Sequence, residues 1–318
     1  MRTKLHRRAT EVRAPGRRPG ETGGVSADPF DRHRGLLFTV AYEMLGSASD
    51  AEDVVQEAWL RWSAVDEATV RTPRAYLVSI VTRQALNRLR TLARRREEYV
   101  GEWLPEPVVT SPDVAEDVEL AENVSVAMLT VLETLGPTER AVFVLREVFE
   151  TPYEEIAAAV GKSPAAVRQI AHRAREHVAA RRPRVQVSRA EQEQAVERFL
   201  DALQSGDVQR LLDVLAPDVV VVSDGGGVVP ALRRPVRGAE KVARLLARFA
   251  AEAPEARVGT TTLNGAPAGR VDVEGIGTVA VTVTVTPGGD GTPRISGIYA
   301  VANPRKLAWL DGEVQLTR

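Results

Sequence analysis

Apolar positions recur at helical spacing between Pro29 and about Arg96, which predicts an all-helical segment. Ser49 and Glu52 have the spacing of a capping box, so one amphipathic helix is predicted to start at Ser49. The predicted buried side of this helix consists of Ala51, Val55, Ala58, Trp59 and Trp62. The opposite, mainly polar side consists of Asp50, Asp53, Gln56, Glu57, Leu60 and Arg61.

A second helix is predicted to begin at Thr72-Pro73, a capping residue followed by proline in the first turn. Opposite its apolar face lies a stripe made of Arg83, Asn87, Arg90 and Arg94. Most polar helix faces are simply solvated. Guanidinium groups and an amide with no acid among them also suit the backbone and base edges of a nucleic acid. The stripe alone leaves both interpretations open.

Residues 99–122 have the composition of an acidic linker rich in proline. Within it stands the WLPEP segment, which consists of Trp103, Leu104, Pro105, Glu106 and Pro107. A flexible linker has no need of a large apolar pair held between prolines. We therefore expect the WLPEP segment to dock on another surface of the protein.

Helical periodicity resumes at about Asn123, and the stretch AVGKSPAAV (159–167) has two interpretations. Its Gly-Lys-Ser triplet ends like a nucleotide-binding P-loop. A P-loop also needs a glycine five residues before its Gly-Lys pair, because the amides of the whole loop hold the phosphates. Ile156 stands at that position, the preceding segment is helical, and Pro164 lacks a backbone donor. A nucleotide site is therefore excluded here.

The same stretch fits the turn of a helix-turn-helix at each position. Gly161 can end one helix, Ser163 can cap the next, and Pro164 suits its first turn. The second helix has an apolar face, and arginine and glutamine are suited to bidentate contacts with bases. An ordinary helical hairpin is the alternative. The predicted DNA-contacting residues are Lys162, Ser163, Arg168, Gln169, His172 and Arg173.

Residues 188–318 change in character and predict an α+β domain. Two helices (about 189–204 and 207–215) precede a valine-rich strand, and another helix covers about 238–252. Three strands follow, RVGTTTL, TVAVTVTVT and RISGIYAV. Helices followed by antiparallel strands are typical of α+β folds. The predicted fold class is thus multidomain: two all-α domains and a C-terminal α+β domain.

Composition narrows the functional classes further. The net charge is −1, so nucleic-acid binding has to come from local basic surfaces. The chain has no cysteine and four scattered histidines, so we expect neither a metal site nor a cofactor. No apolar run approaches the ~20 residues of a membrane span. We expect residues 1–26 to form a disordered basic tail and the protein to be cytoplasmic and free of membrane contacts.

Three stretches together resemble a known family. The first two are DAEDVVQEAWLRW and TPRAYLVSIVTRQALNRLRTLARRR, and the third is LGPTERAVFVLREVFETPYEEIAAAVGKSPAAVRQIAHRARE. The family is that of the extracytoplasmic-function (ECF) sigma factors of bacterial RNA polymerase. The first two stretches are similar to region 2 of these proteins, and the third is similar to region 4. WLPEP, DGGG and NPRKL resemble the subgroup with a fused SnoaL-like (NTF2-like) domain. The implied domains are 27–98 (region 2), 99–122 (linker), 123–184 (region 4) and 188–318 (SnoaL-like).

The resemblance also implies partners and roles for particular residues. The polar side of the first helix, Asp50 to Arg61, would bind the β′ clamp helices of core RNA polymerase. The stripe from Arg83 to Arg94 would contact the −10 element of promoter DNA, and the helix after Ser163 the −35 element. In this subgroup the fused domain takes the place of a separate anti-sigma factor. We expect the DGGG turn (Asp224, Gly225, Gly226 and Gly227) and the NPRKL segment (with Asn303, Pro304 and Lys306) to dock near WLPEP.

Two other functions compete with this interpretation. A helix-turn-helix regulator could be fused to an NTF2-like enzyme, yet Asp224 is the only obvious carboxylate at a strand end, and the glycines after it suit a turn better than a catalytic base. We therefore expect no catalysis. A small-molecule ligand of the C-terminal domain stays open. A simple regulator also has no need of the two helices that follow Ser49 and Thr72.

Overall fold

The first described part of the chain folds as three packed helices. The structure is a computed structural model that describes residues 28–97, 99–111, 114, 117–181 and 187–318, with only the backbone for 93–97 and 118. The predicted tail, residues 1–26, lies outside this range. The helices are α1 (Pro29–Leu45), α2 (Ala48–Trp62) and α3 (Pro73–Glu97), and we call this unit the first helical domain. A 3-10 turn spans Glu67–Thr69 between α2 and α3.

The start of α2 differs from the prediction. Ser47, and not Ser49, caps the helix, because its hydroxyl accepts a hydrogen bond from the backbone of Asp50 at 3.1 Å. Ser49 lies inside the first turn. Trp59, which was predicted to be buried, is 43% exposed. Val54 is buried instead, because it lies about one helical turn after Ala51 on the side that faces the core.

The predicted linker contains more structure than its composition indicates. Val109–Thr110 form a short strand, β1. A helix spans Val118–Val124, and the Asp117 side chain caps its N-terminus by accepting a hydrogen bond from the Leu120 amide. The expectation that helices resume at about Asn123 was therefore wrong by several residues. The cause is a capping aspartate together with the fully packed Leu120, 3% exposed, which anchors this helix.

The second helical domain contains the predicted helix-turn-helix. Its helices span Val118–Val124, Val126–Leu132, Pro137–Phe143, Tyr153–Val160 and Pro164–Ala179, and a π-helical turn covers Val144–Val148. The last two helices pack against each other and against the earlier ones through a continuous apolar core. This all-α organisation agrees with the fold class predicted from the sequence.

The C-terminal domain has helices Arg189–Ser205, Val208–Val214 and Ala239–Glu252 packed on one sheet. Its strands are β2 (Leu215–Asp224), β3 (Val236–Arg237), β4 (Arg257–Leu263), β5 (Ala266–Val273), β6 (Gly277–Pro287), β7 (Pro293–Val301) and β8 (Glu313–Val314). In the described part of the chain the strand order is β3-β2-β7-β6-β5-β4-β1-β8. The α+β fold class is confirmed, although β5 was missed and β2 pairs with β7 in parallel.

The sheet connects the C-terminal domain to the rest of the molecule. β1 of the linker pairs antiparallel with β4 and parallel with β8, so the linker is an integral part of the sheet. Val314 and Leu316, near the end of the chain, pack into the same apolar core as the two helical domains. We call this contact of the C-terminal domain with both helical domains the docked arrangement. Among the described residues, no helix combines the length and apolarity needed to span a bilayer.

Candidate functional site

The helix Pro164–Ala179 presents the residues predicted to read DNA. Gly161 ends the preceding helix in the left-handed region, at φ 69°, and Ser163 accepts a hydrogen bond from the Ala166 amide at 3.2 Å. One face is buried, and it consists of Val167, Ile170, Ala171, Ala174 and Val178. The predicted residues Lys162, Ser163, Arg168, Gln169, His172 and Arg173 are all exposed on the other side. The helix thus has one buried apolar face and one exposed polar face, the arrangement expected of the second helix of a helix-turn-helix.

The stripe on α3 is exposed but not free of other protein contacts. Arg83, Asn87 and Arg90 lie on the solvent side of the helix, and the side chain of Arg94 lies outside the described part. Arg83 Nη2 donates a hydrogen bond to the backbone oxygen of Ala158 at 3.0 Å. Ala158 belongs to the first helix of the helix-turn-helix. In the docked arrangement the α3 stripe therefore touches the helix that precedes the predicted DNA-contacting helix.

The predicted polymerase-binding side of α2 faces solvent. Leu60 is 62% exposed, next to the exposed Trp59. Asp50 and Asp53 pair with Arg88 of α3, with Asp50 Oδ1 2.7 Å from Arg88 Nε. The exposed members of the predicted set are Asp53, Gln56, Glu57, Leu60 and Arg61, and Asp50 is half-buried.

The WLPEP segment lies between the first helical domain and the C-terminal domain. Leu104 to Pro107 are buried. The Glu106 carboxylate accepts hydrogen bonds from the Ser47 hydroxyl at 2.9 Å and the Ser49 amide at 3.1 Å, at the beginning of α2. Its backbone oxygen accepts from the Tyr42 hydroxyl at 2.6 Å. Burial raises the pKa of Glu106, and the serine hydrogen bonds oppose that rise.

Asp224 is the centre of the contact between WLPEP and the C-terminal domain. It is fully buried, and both carboxylate oxygens accept hydrogen bonds. Oδ1 accepts from the Tyr99 hydroxyl at 2.6 Å and the Gly226 amide at 3.0 Å. Oδ2 accepts from the Leu104 amide at 2.9 Å and Lys306 Nζ at 2.7 Å. Such a set of donors offsets the desolvation of a buried carboxylate.

The NPRKL segment completes this centre. Lys306 Nζ also donates to the backbone oxygen of Leu104 at 2.5 Å and stands 3.9 Å from the centroid of the Trp103 ring. Asn303 Nδ2 donates to the Tyr99 hydroxyl at 2.8 Å, and Pro304 begins the 3-10 turn that carries Lys306. The structure therefore brings the DGGG turn, the NPRKL segment and WLPEP together.

At two positions of the DGGG turn, neighbouring atoms lie so close to the backbone that only glycine fits. Gly226 has φ 60°, and a Cβ atom there would lie 2.2 Å from Asn303 Nδ2. At Gly225 a Cβ atom would lie 2.3 Å from the backbone oxygen of Val229. Gly227 also has a positive φ, and it packs beside Val100. The turn therefore accepts only glycine where it meets the NPRKL segment.

Sequence reasoning missed the second contact centre, at the turn between β4 and β5. Asn264 is fully buried, with φ 53°. Its Nδ2 donates to the Tyr42 hydroxyl at 2.6 Å and to the Val124 backbone oxygen at 2.8 Å, and its Oδ1 accepts from the Val108 amide at 3.2 Å. One side chain thus joins both helical domains and the linker. An Asn-Gly pair predicts a hairpin turn, but nothing in it predicts these partners.

The two helical domains also share a buried charged contact. Arg140 Nε donates to the backbone oxygen of Glu43 at 2.9 Å, and its Nη1 pairs with Glu133. The Glu43 carboxylate is fully buried, and neither oxygen has a hydrogen-bond partner among the described residues. Burial raises the pKa of Glu43 to about 8, against the opposing effect of the Arg140 charge.

No group of three or more histidine or acidic side chains within the described ranges is placed to hold a metal ion. Asp224 is also unsuited to act as a base in this arrangement, because four donors occupy its carboxylate.

Three family models match successive parts of the chain. Sigma-70 region 2 matches residues 30–95, Sigma-70 region 4 matches residues 125–178, and a SnoaL-like domain matches residues 196–303. The region 2 match includes α2 and α3, which a simple helix-turn-helix regulator does not need, so that alternative is not favoured.

Relatives align over most of the length. The chain is 38% identical over 294 residues to ECF RNA polymerase sigma factor SigJ of Mycobacterium tuberculosis, covering 89% of this chain and 93% of SigJ. It is 36% identical over 220 residues to the probable ECF sigma factor SigI of the same species, covering 68% of this chain and 74% of SigI. The crystal structure of SigJ has a TM-score of 0.71 at 35% identity, covering 87% of this chain and 96% of that one. The chain therefore belongs to the ECF family of RNA polymerase sigma factors, in the group with a SnoaL-like C-terminal domain.

Proposed function

We propose that this sigma factor restrains itself: the C-terminal domain holds the two helical domains in the docked arrangement, and promoter recognition requires its release. As a sigma factor the chain is a non-enzymatic initiation factor for RNA polymerase at promoters. The proposal adds that α2 supplies the polymerase contact, α3 the −10 contact and the helix Pro164–Ala179 the −35 contact.

The contact between Arg83 and Ala158 carries the proposal. Ser163, at the start of the DNA-reading helix, follows Ala158 by five residues, so the chain between them spans at most about 18 Å. The −10 and −35 elements are roughly 25 base pairs apart, about 85 Å of duplex at 3.4 Å per base pair. With Arg83 3.0 Å from Ala158, the docked arrangement falls far short of that span. It therefore does not engage both elements at once.

The C-terminal domain is placed to maintain this arrangement. Asp224 and Lys306 both form hydrogen bonds with the backbone of Leu104 in the linker. Asn264 forms hydrogen bonds with Tyr42 of the first helical domain and Val124 of the second. Trp309 Nε1 donates to the Ser49 hydroxyl at 3.2 Å, beside the predicted polymerase-binding side of α2. Separation of the helical domains therefore has to break contacts made by the C-terminal domain.

The Asp224 centre favours a structural role over catalysis for the SnoaL-like domain. Its carboxylate is saturated by hydrogen bonds from Tyr99, Gly226, Leu104 and Lys306, and these donors come from the linker and the domain itself. A general base needs a free lone pair directed at its substrate. We therefore assign Asp224 to interdomain contact.

Run-off transcription with core polymerase tests the proposal. Lys306→Met and Trp103→Ala remove the contacts between Lys306, Leu104 and Trp103, and we expect both variants to initiate more strongly than the full-length protein. Lys241→Met, which changes an exposed lysine of the same domain, is the matched control. Equal transcription by all four proteins, with native circular dichroism spectra, would show that docking does not restrain the sigma factor.

A further inference from the structure

A cavity of about 320 Å³ lies where the second helical domain meets the C-terminal domain. Its walls come from three sources: the helix Val126–Leu132, with Val126 and Met128; the start of the helix Arg189–Ser205; and the sheet around Ala266, Val283 and Tyr299. The register explains the opening. β5 pairs with β6 only as far as Thr282, so β6 continues beyond its neighbour and leaves space beside the β4–β5 turn.

The chemistry of the cavity is mainly apolar, and two of its lining residues, Tyr299 and Thr282, have hydroxyls without a hydrogen-bond partner among the described residues. The Thr282 hydroxyl is fully buried within the wall, whereas Tyr299 is only half-buried, which leaves its hydroxyl as the donor available to a ligand. Burial raises the pKa of Tyr299, so the phenol stays protonated and able to donate. Glu122 and Arg189 at the rim have opposite charges, and Arg189 is already paired with Glu193. The cavity therefore has no preference for a charged ligand.

We propose that this cavity binds a small, neutral, largely apolar molecule whose single carbonyl or hydroxyl oxygen accepts a hydrogen bond from Tyr299. Its volume lies at the small end of the range of ligand pockets, roughly 300–1,000 Å³, and mostly apolar walls with a small number of placed polar groups are typical of such sites. The ligand class is thus a mono- or bicyclic ketone, phenol or alcohol.

The position of the cavity makes its ligand a regulator of docking. Because one wall belongs to the second helical domain and the others to the C-terminal domain, the complete site exists only while the two are in contact. A ligand that binds one state and not the other stabilises that state by mass action. This step rests on the proposed function. The ligand would strengthen the restraint on promoter recognition.

Isothermal titration of the full-length protein with 1-tetralone and tetralin tests the site. The two compounds have nearly the same shape, and only tetralone has the carbonyl oxygen. We expect tetralone to bind about fivefold more tightly, the effect of one hydrogen bond of about 1 kcal/mol. Tyr299→Phe should remove this difference, whereas Tyr76→Phe, which alters an exposed tyrosine of α3, should keep it. Ala266→Leu, which fills the cavity, should weaken both compounds.

Three results would overturn the site: no binding of either compound, equal binding of both by the unmodified protein, or unchanged binding by Ala266→Leu. Coupling is tested by the same titration on Asn264→Ala, whose docking contacts are broken and whose cavity-lining side chains are intact; unchanged affinity there refutes the link to docking. The transcription test of Lys306→Met contains no ligand. The proposed function can therefore fail without affecting the binding result, and the reverse also holds.

Discussion

Replacement of Asn264 by alanine should open the docked arrangement while the C-terminal domain stays folded. The side chain lies at the tip of the β4–β5 turn, and its hydrogen bonds go to Tyr42, Val108 and Val124, which belong to the other parts of the molecule. Asn264 also has φ 53°, a conformation that asparagine tolerates better than alanine.

The magnitude follows from the groups left behind. Without the amide, the Val108 N–H and the Val124 carbonyl become unsatisfied buried groups, each costing about 1–3 kcal/mol. The Tyr42 hydroxyl keeps its bond to Glu106. Alanine in the left-handed region adds roughly 1 kcal/mol. A total of about 4 kcal/mol shifts the ratio of docked to open molecules by roughly a thousandfold.

Fluorescence energy transfer between the helical domains measures this shift. The chain has no cysteine, so dyes attach only at Ala64→Cys and Ala180→Cys, two exposed positions in the first and second helical domains. Asn264→Gly also removes the side-chain amide, but glycine adopts the left-handed conformation without strain. It should therefore shift the free energy between docked and open molecules by about 1 kcal/mol less than Asn264→Ala does. Both variants should also raise run-off transcription.

The reasoning fails if transfer efficiency in Asn264→Ala equals that of the unsubstituted protein while the thermal transition of the C-terminal domain is unchanged. It also fails if Asn264→Gly opens more than Asn264→Ala, because the backbone contribution would then have the wrong sign.

Three further outcomes are expected. Burial raises the pKa of Glu43 from 4.5 to about 8. As pH rises from about 4.5 to 8, the unfolded chain therefore loses this proton before the folded protein does, and the free energy of unfolding should fall. Glu43→Gln should flatten this dependence of stability on pH in thermal melts. Gly226→Ala places a Cβ 2.2 Å from an amide of the NPRKL segment and should open the docked arrangement by energy transfer, whereas Gly259→Ala, whose Cβ meets nothing, should not. Arg168→Ala and Gln169→Ala should each weaken promoter binding by the holoenzyme by about 1–3 kcal/mol in footprinting with the −35 element present, and not on DNA lacking it.

Short-range patterns predicted the helical parts of the molecule well. The capping and buried face of the helix Pro164–Ala179 follow from a serine, a proline and a 3.6-residue period, and the structure has both as predicted. The prediction that Trp59 is buried was wrong, because the sequence pattern at the edge of an apolar sector is the same whether the tryptophan contacts the core or solvent. Periodicity locates a face, and only packing decides how wide it is.

The contacts between domains could not be predicted in the same way. WLPEP, DGGG and NPRKL were conspicuous because their residue types are unusual, and they were expected to dock. Tyr99 and Asn264 were missed, since a tyrosine after a helix and an Asn-Gly turn are ordinary features. Their partners lie 125 and 222 residues away, at Asp224 and Tyr42. No local pattern encodes such a pairing.

The polarity of these contacts suits a restraint that has to be released. A buried ion pair such as Asp224 with Lys306 gains little net stability, because desolvation offsets the attraction, yet it is strongly destabilised when one partner is lost. An apolar interface of the same area would be harder to open. These buried polar groups therefore specify one docked geometry while adding little net stability to it, which eases release by the polymerase contact that we propose for α2.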